Sequence, residues 1–488
     1  MSEEKPKPQE PSAVDLARSY IEGRALVDDN KRLMLRFYKG DFLKYTGTHY
    51  ENFTNSDLEA DIAAFLQAKN EEIRVANEAI SSPDEKRKCI GITSSKISSI
   101  IANLKGIAHV LNQVMPCMLN EPGEIKPDLI AMKNGILNIN KLIAGESVSL
   151  SPHSPLFFSM TCLPYEYSPD ETCPIFFKVL NEMLPAEDVR NMVQEWFGLN
   201  LITDTTFQKF LLLVGEGANG KTVLCTSLRE MLGVKNVSAI SLEQFSPTRT
   251  FPLAATVGKL ANICEEISEV DKSAEGVLKQ IVNGGTLTIE RKNRDAFELR
   301  PTARLTFATN VLPKFRDRSQ GLWRRMILVR FTQQVLDEAK QDKRLTDGNF
   351  WQESGELPGI FNWAVEGLKR LKARGHFVEP PECAVEKEAY KQAANPAVTF
   401  LTENCVAKAG SEITSSEIYP IYFQWVKDRG GMPLGEPLFA EELRKTFPTV
   451  ALTEHALRRT VNGKSVRSRI WKSLAWIDTE APENRGLR

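Results

Sequence analysis

The feature that most constrains the fold of this 488-residue chain is a glycine-rich octapeptide between an apolar run and a helical pattern. The apolar run is Phe210–Val214, and residues 223–232 follow with helical spacing. This order predicts a buried strand, a tight turn and the start of a helix. The octapeptide fits the pattern G-x-x-x-x-G-K-[ST] throughout and consists of Gly215, Glu216, Gly217, Ala218, Asn219, Gly220, Lys221 and Thr222.

The chemistry of this loop suits a polyphosphate. Its glycines let backbone N–H groups converge on phosphate at the positive end of a helix. We expect Lys221 to neutralise the β- and γ-phosphates and the Thr222 hydroxyl to bind Mg²⁺. The sequence therefore predicts that residues 215–223, up to Val223, bind ATP and Mg²⁺. The alternative is an ordinary glycine-rich turn between a strand and a helix.

Composition narrows the class of protein. With 42% hydrophobic and 26% charged residues, the chain is typical of a soluble globular protein of up to three domains. A net charge of −1 excludes a wholly basic binder but permits a local basic channel. The apolar runs are too short to span a bilayer, so we expect no membrane partner. Eight cysteines without a C-x-x-C pair suggest neither zinc nor disulfides, and Cys225 and Cys264 are expected as buried thiols in a reducing, cytoplasmic setting.

The patterning predicts an α/β phosphate-loop core between two other domains. The core should be a parallel sheet, because strand-like and helical runs alternate through it. Within the first domain we expect a hairpin-like stretch at 42–50, helices at 90–118 and 176–201, and short strands between them. The predicted divisions are a disordered tail at 1–16, a mainly helical collar at 17–205, the core at 206–375, a linker near 375–381, and a separate unit at 386–488.

An apolar strand ending in two acids follows the phosphate loop along the chain. Hydrolysis needs one carboxylate for the Mg²⁺ shell and another to polarise the attacking water. We assign the first role to Glu265 and the second to Glu266. A solvated acidic turn is the alternative, because Glu269 and Asp271 follow.

Two further polar positions complete the predicted site. Asn310 ends a β-rich run and is expected to hydrogen-bond the γ-phosphate or the lytic water; capping the strand is the alternative. Arg324 and Arg325 precede another apolar strand, and one of them is predicted to act as an arginine finger. Surface ion pairing is the alternative for either arginine.

This order of motifs resembles that of a superfamily 3 helicase, the AAA+-type motor of small DNA viruses, phages and plasmids. It is most similar to the poxvirus and phage/plasmid primase-helicase branch. The resemblance implies a ring, commonly hexameric, in which the finger enters the neighbour's site, and travel in the 3′→5′ direction. It would place the protein in the host cytoplasm if a virus or phage encodes it. The stretches that carry the resemblance are 132–138, 194–208, 279–285, 308–313 and 321–325.

A cationic hairpin between the acids and Asn310 points to DNA. Residues 287–300 alternate around a polar turn, which predicts a β-hairpin with Arg291, Lys292 and Arg294 near its tip. The segment resembles the pore hairpin of papillomavirus-type helicases. Copies in a ring would line a pore suited to a phosphate backbone, with Lys292 as the expected contact with one strand. Simple solvation of these charges is the alternative.

The carboxy-terminal unit has the pattern of a winged helix. Residues 438–447 and 453–460 could form two short helices, and the Asn-Gly turn at 462–463 predicts a hairpin. Together they suggest DNA binding, with oligomerisation or protein docking as the alternative. The clustered cations are Arg458, Arg459, Lys464, Arg467, Arg469 and Lys472.

We expect a replicative helicase that acts on single-stranded or forked DNA and assembles with copies of itself. Longer members of the family carry a primase, but residues 1–200 show neither a D-x-D pair nor zinc spacing. A separate primase or polymerase is therefore an expected partner. The rival interpretations are an AAA+-type ATPase that acts on protein and an initiator that uses ATP only to assemble.

Overall fold

The computed structural model divides the chain into two compact units. It describes residues 10–111, 113–119, 128–248, 250–267, 272–291, 294–313, 315, 320–334, 341–453, 455–461 and 464–477. The first unit runs to Val311 and includes residues 325–380. The second contains residues 312–324 and the chain from Pro381 onward.

The amino-terminal part of the first unit combines helices, which hold most of its regular secondary structure, with short strands. Alternating and proline-containing stretches there favour pairing of short strands over helix. The described part contains helices α1 (Ala13–Gly23), α2 (Asn55–Glu78), α3 (Ser94–Ala108) and α4 (Ile139–Ile143), and strands β1 (Leu35–Tyr38), β2 (Asp41–Tyr45), β3 (Tyr50–Phe53), β4 (Cys117–Met118), β5 (Leu129–Met132), β6 (Gly135–Asn138), β7 (Phe157–Phe158) and β8 (Cys162–Leu163).

Several predicted boundaries shift for local reasons. Helix α1 starts inside the predicted 1–16 tail, because the Ser12 side chain caps it by accepting from the Asp15 N–H at 3.2 Å. The hairpin predicted at 42–50 is confirmed as β2 paired with β3. The helix predicted over 90–118 ends at Ala108, and Val110 instead hydrogen-bonds to Phe37 of β1.

The helix predicted over 176–201 is divided in two. Helix α5 spans Pro174–Met183 and α6 spans Glu187–Leu199. Pro185 lies between them and disfavours helical geometry at Leu184, where α5 ends.

The predicted parallel α/β core is confirmed. Its sheet has the order β10-β11-β14-β9-β15, every pair is parallel, and β9 is buried along its whole length. A separate antiparallel hairpin, β12–β13, interrupts the alternation. The elements of this stretch of the chain are β9 (Phe210–Val214), α7 (Lys221–Leu232), β10 (Val237–Ser238), β11 (Ala261–Cys264), α8 (Lys272–Val282), β12 (Leu287–Arg291), β13 (Arg294–Leu299), β14 (Arg304–Thr309), α9 (Gln320–Trp323), β15 (Met326–Arg330), α10 (Gly348–Glu353) and α11 (Leu357–Arg374), of which α9 belongs to the second unit.

The main segment of the second unit begins at Pro381, the last residue of the predicted linker and ahead of the predicted start at 386. Phe315, Trp323 and Tyr390 form a ring cluster that ties residues 312–324 to its first helix. Its remaining elements follow in the order α-α-β-α-α-β-β-β-β. They are α12 (Pro381–Ala394), α13 (Pro396–Asn404), β16 (Cys405–Thr414), α14 (Ser415–Asp428), α15 (Glu436–Thr446), β17 (Ala451–Leu452), β18 (Leu457–Val461), β19 (Lys464–Ser468) and β20 (Ile470–Trp476).

One of the two short helices predicted in this unit is wrong. The helix at 438–447 is confirmed as α15, but the second half of 453–460 belongs to strand β18. Val461 pairs with Lys464 and Leu457 with Ser468, so the hairpin takes residues that the helix would need. Across the part of the chain described here, no helix is both long and apolar enough to cross a membrane.

Candidate nucleotide-binding site

A cavity of about 620 Å³ opens at the carboxyl edge of the parallel sheet. Ligands of open α/β sheets bind at this edge, where the loops after neighbouring strands converge. Its walls come from residues 217–223 of the phosphate loop, from the ends of β11 and β14, from α5 and from the chain after β15. Beyond the loop they include Glu265, Glu266, Ala308, Asn310, Val179, Glu182, Met183, Gln333, Gln341, Asp342, Lys343, Leu345 and Thr346.

The phosphate loop is a tight cradle that only glycine can form at two positions. Gly220 has φ +92°, and a Cβ there would lie 2.1 Å from the Met183 sulfur. A Cβ at Gly215 would lie 1.9 Å from the Asn219 amide nitrogen and 2.8 Å from the Phe331 carbonyl oxygen. Backbone N–H groups can therefore approach a bound phosphate closely, as a polyphosphate ligand requires.

The Lys221 side chain is positioned inside this cradle by two hydrogen bonds. It is buried, and Nζ donates to the Gly215 carbonyl at 2.6 Å and to the Asn219 Oδ1 at 3.0 Å. Burial lowers the pKa of the Lys221 ammonium. Because both acceptors are neutral, an arriving phosphate can pair with Nζ without displacing a carboxylate. Thr222, the predicted Mg²⁺ ligand, is exposed and lines the cavity.

The two acids after β11 differ in their surroundings. Glu265 is half-buried and accepts a charge-assisted hydrogen bond from Arg229 of α7, 2.6 Å from its Oε1. Glu266 is exposed into the cavity, and its backbone carbonyl lies 3.1 Å from the Cys264 sulfur. Cys225 lies beneath this group, and burial raises the pKa of its thiol. The prediction that Cys225 and Cys264 are buried thiols is confirmed.

Asn310 stands where β14 ends. The Thr309 hydroxyl accepts from the Val311 N–H at 3.2 Å and donates to the Val311 carbonyl at 2.7 Å, which closes the strand end. Asn310 is exposed and lines the cavity with Lys221 and the two acids. The structure thus brings these predicted residues together at one edge of the sheet.

Neither predicted finger arginine lines this cavity, and the two differ in exposure. Arg325 is buried: its Nε donates to Asn283 Oδ1 at 2.7 Å, and its carbonyl accepts from the Phe210 N–H at 2.9 Å. Arg324 is exposed at the end of α9. An arginine that enters a neighbouring subunit has to reach the surface.

Sequence reasoning missed Met183 and Arg229. The amphipathic pattern of α5 indicated only a core-facing helix, and nothing in it marked Met183 as a neighbour of Gly220. Arg229 was detectable in principle, because Lys221, Cys225 and Arg229 recur every fourth residue on one face of α7.

The cationic hairpin is confirmed as a hairpin: β12 and β13 pair from Leu287 with Leu299 to Arg291 with Arg294. Lys292 lies outside the described residues, as does the side chain of Arg294. Arg291 forms an ion pair with Asp41 of β2. Its guanidinium is therefore already engaged within the chain.

The carboxy-terminal cations are described in part. Arg467, Arg469 and Lys472 are exposed, and the Arg467 Nε donates to the Ala456 carbonyl at 3.3 Å. The side chains of Arg458, Arg459 and Lys464 lie outside the described residues.

A phosphate loop follows the interior strand β9 of a parallel sheet, and two acids follow β11, which is separated from β9 by β14. This arrangement is typical of an α/β nucleotide-binding core. Two family models match the chain, one before this core and one within it. Residues 25–185 match the family described as D5 N terminal like, and residues 213–325 match a family of unknown function, DUF5906.

Relatives among curated proteins point the same way. "Putative helicase L207/L206" of Acanthamoeba polyphaga mimivirus is 23% identical over 329 residues, 62% of this chain and 34% of that protein. "Putative primase C962R" of African swine fever virus is 22% identical over 323 residues, again 62% of this chain and 33% of that protein. The chain spans about a third of the length of these relatives.

Among solved structures, the A form apo structure of the NrS-1 C terminal region has a TM-score of 0.50 at 12% identity. The match covers 95% of this chain and all of that one, so the fold is shared. The family model and the viral relatives together support a D5-like primase-helicase family for this chain. The resemblance inferred from the motifs is thereby confirmed.

Proposed function

We propose that the protein is an ATP-dependent DNA helicase of the superfamily 3 type that works as a ring, most simply a hexamer. One observation carries the proposal: a single cavity contains a buried phosphate-loop lysine, two acids and a polar strand-end amide. Family membership supports a helicase or primase theme. The cavity adds groups for nucleotide hydrolysis, which a motor requires.

Five residues of the cavity have roles in this proposal. Lys221 binds the β- and γ-phosphates of ATP, and Thr222 and Glu265 hold Mg²⁺. The metal, when bound, neutralises charge on the phosphates. Glu266 accepts a proton from the attacking water, and Asn310 orients that water or the γ-phosphate. The narrow cradle and the neutral partners of Lys221 support the fit of a triphosphate.

For the arginine finger we propose Arg324. Arg325 is fixed within its own subunit by the hydrogen bond to Asn283, whereas Arg324 is exposed. A guanidinium supplied by a neighbour can stabilise the charge of the transition state and makes hydrolysis depend on assembly. The ring is therefore part of the proposed active site.

For the DNA contact we propose the β12–β13 hairpin, with Lys292 at its turn and Arg291 and Arg294 beside it. The hairpin joins α8, which follows the acids, to the chain that leads into β14 and Asn310. Movement at the nucleotide can therefore be passed along the chain to the hairpin. A ring of such turns would hold a phosphate backbone without reading its sequence.

We propose that the carboxy-terminal unit is a winged helix that binds DNA. Supporting this, its elements follow the order α13, β16, α14, α15, β17, hairpin, β20, and β20 pairs with both β16 and β17. The hairpin β18–β19 would then be the wing, with Arg458, Arg459, Lys464 and Arg467 as its DNA contacts. A separate primase or polymerase would act on the strand that is released.

An unwinding assay on a forked duplex tests the proposed function. We expect the wild-type protein to separate the strands with ATP and Mg²⁺, and Lys221→Ala to lose at least about a hundredfold in ATP hydrolysis. If each of six subunits contacts one phosphate, the slope of log affinity against log salt for single-stranded DNA should be about −4. Lys235→Ala, at a strongly exposed lysine outside the cavity, is the matched control.

Two further variants separate the rivals. Lys292→Ala should abolish unwinding and leave basal ATP hydrolysis nearly intact; unchanged unwinding would favour a protein-directed ATPase. Glu266→Gln should bind ATP but neither hydrolyse it nor unwind DNA. An initiator that uses ATP only to assemble would be unaffected by that change.

A further inference from the structure

The β12–β13 hairpin is attached to the turn between β1 and β2 at the end where it should meet DNA. Arg291 forms an ion pair with Asp41, and its Nη1 also donates to the Lys39 carbonyl at 3.2 Å. The two side chains of the pair are 16% and 23% exposed. The Arg291 guanidinium is therefore largely withdrawn from solvent.

The contact has a second side. The Lys39 ammonium donates to the Glu298 carbonyl and lies 5.4 Å from the centroid of the Phe297 ring. The Arg291 guanidinium lies 4.6 Å from the centroid of the same ring. Burial lowers the pKa of Lys39. We call this set the hairpin contact: Lys39 and Asp41 on one side, and Arg291, Phe297 and Glu298 on the other.

Geometry fixes Asp41 opposite Arg291. Tyr38 pairs with Asp41 across a two-residue turn in which Lys39 has φ +47° and Gly40 has φ +84°. Positive φ at both central residues is the hairpin turn that matches strand twist, so Asp41 starts β2 from a well-defined position. Arg291 is the last paired residue of β12 before the turn.

We propose that Asp41 positions the hairpin and that a phosphate of the DNA backbone competes with its carboxylate for Arg291. This rests on the proposed function, because it assumes that the hairpin is the DNA contact. A guanidinium pairs with either anion through the same geometry. Binding of a strand thus exchanges an internal ion pair for a DNA contact and releases the hairpin from the amino-terminal part of the chain.

The test is the affinity of full-length protein for a single-stranded oligonucleotide, measured by fluorescence anisotropy over a series of salt concentrations. Asp41→Asn should bind about two- to fivefold more tightly at low salt, the range expected for removing a partly exposed ion pair. The salt dependence should steepen by about 0.7 in slope for each subunit that gains a phosphate contact.

Two controls exclude a general charge effect. Asp29→Asn makes the same charge change at an exposed residue of the same part of the chain and should leave affinity and slope unchanged. With Arg291→Gln in the background, Asp41→Asn should no longer raise the affinity. Equal effects of Asp41→Asn and Asp29→Asn, or an undiminished effect with Arg291→Gln, would overturn the proposal.

Amide hydrogen exchange without DNA tests the contact separately from DNA binding. Asp41→Asn should speed exchange in residues 287–291 and 294–299 and leave β9 and β14 unchanged. If wild-type protein binds no oligonucleotide but exchange rises, the positioning role stands and the proposed function fails. Unchanged exchange in the hairpin sinks the positioning role, whatever the binding data show.

Discussion

Two buried or half-buried cations of this protein are both suited to phosphate, but they are held differently. Lys221 in the nucleotide cavity donates to two neutral oxygens, the Gly215 carbonyl and the Asn219 side chain. Arg291 in the hairpin is paired with the carboxylate of Asp41. A phosphate can approach Lys221 without breaking an ion pair, whereas at Arg291 it has to replace one.

This difference indicates an order of events. The nucleotide cavity is formed by a rigid glycine cradle and strand ends of one sheet, so it is pre-organised. The strand contact is restrained by a second part of the chain until an anion competes for Arg291. We therefore expect nucleotide binding to need little rearrangement, and DNA binding to be coupled to release of the hairpin.

The largest expected effect tests whether the cradle is as rigid as this comparison requires. Gly220→Ala adds a Cβ at φ +92° and 2.1 Å from the Met183 sulfur. The left-handed backbone costs about 1–2 kcal/mol and the overpacking roughly 1–3 kcal/mol more. We expect a lower midpoint of urea unfolding and at least about a tenfold loss of ADP affinity, measured by calorimetry.

Gly217→Ala is the matched control, because its φ is +101° but a Cβ there would meet nothing within 4 Å. It should show the backbone cost alone. Adding Met183→Ala to Gly220→Ala should recover part of the lost affinity. Equal losses of ADP affinity in Gly217→Ala and Gly220→Ala would mean that the phosphate loop adjusts to the added Cβ. The loop would then not be more rigid than the β12–β13 hairpin.

The next prediction concerns the ion pair between Arg229 and Glu265, which gives the nucleotide site a pair comparable to that of Arg291 and Asp41. Arg229→Gln removes the partner that holds Glu265 at 2.6 Å. Mg²⁺ then no longer competes with a guanidinium for Glu265. The Mg²⁺ concentration that gives half of its maximal effect on ADP affinity should therefore fall about two- to fivefold. The loss of orientation should lower kcat about tenfold. ADP affinity titrated with Mg²⁺ gives a readout independent of turnover.

Arg229→Lys keeps the charge, so its Mg²⁺ dependence and kcat should lie between those of wild type and Arg229→Gln. Lys235→Gln changes an exposed cation outside the cavity and should leave both quantities unchanged. If Arg229→Gln lowers stability and kcat together and leaves the Mg²⁺ dependence unchanged, the arginine is only structural.

The parts of the fold that the sequence predicts are those set by local chemistry. The phosphate loop fixes β9 and α7, and the Asn-Gly turn fixes β18 and β19. The pairing of Lys464–Ser468 requires a partner strand of equal length before the turn. Leu457–Val461 supplies it, so these residues cannot belong to the helix predicted over 453–460.

What could not be predicted depends on residues distant in sequence. Nothing local in α5 marks Met183 as a neighbour of Gly220. Asp41 is an ordinary turn-flanking acid until the fold brings it to Arg291. Arg325 is buried and hydrogen-bonded to Asn283, which follows α8, whereas Arg324 is exposed, so the two adjacent arginines looked equivalent only in the sequence.

The smallest expected effect approaches the hairpin contact from its other side. Lys39→Met removes the ammonium that donates to the Glu298 carbonyl and faces Phe297, but it leaves Asp41 and Arg291 paired. A cation–aromatic contact of this kind is worth about 0.5–1 kcal/mol, so oligonucleotide affinity should change no more than about fivefold. Amide exchange in residues 294–299 should rise less than it does in Asp41→Asn. Lys86→Met, at an exposed lysine of the same part of the chain, is the control; if both variants behave alike, Asp41 alone restrains the hairpin.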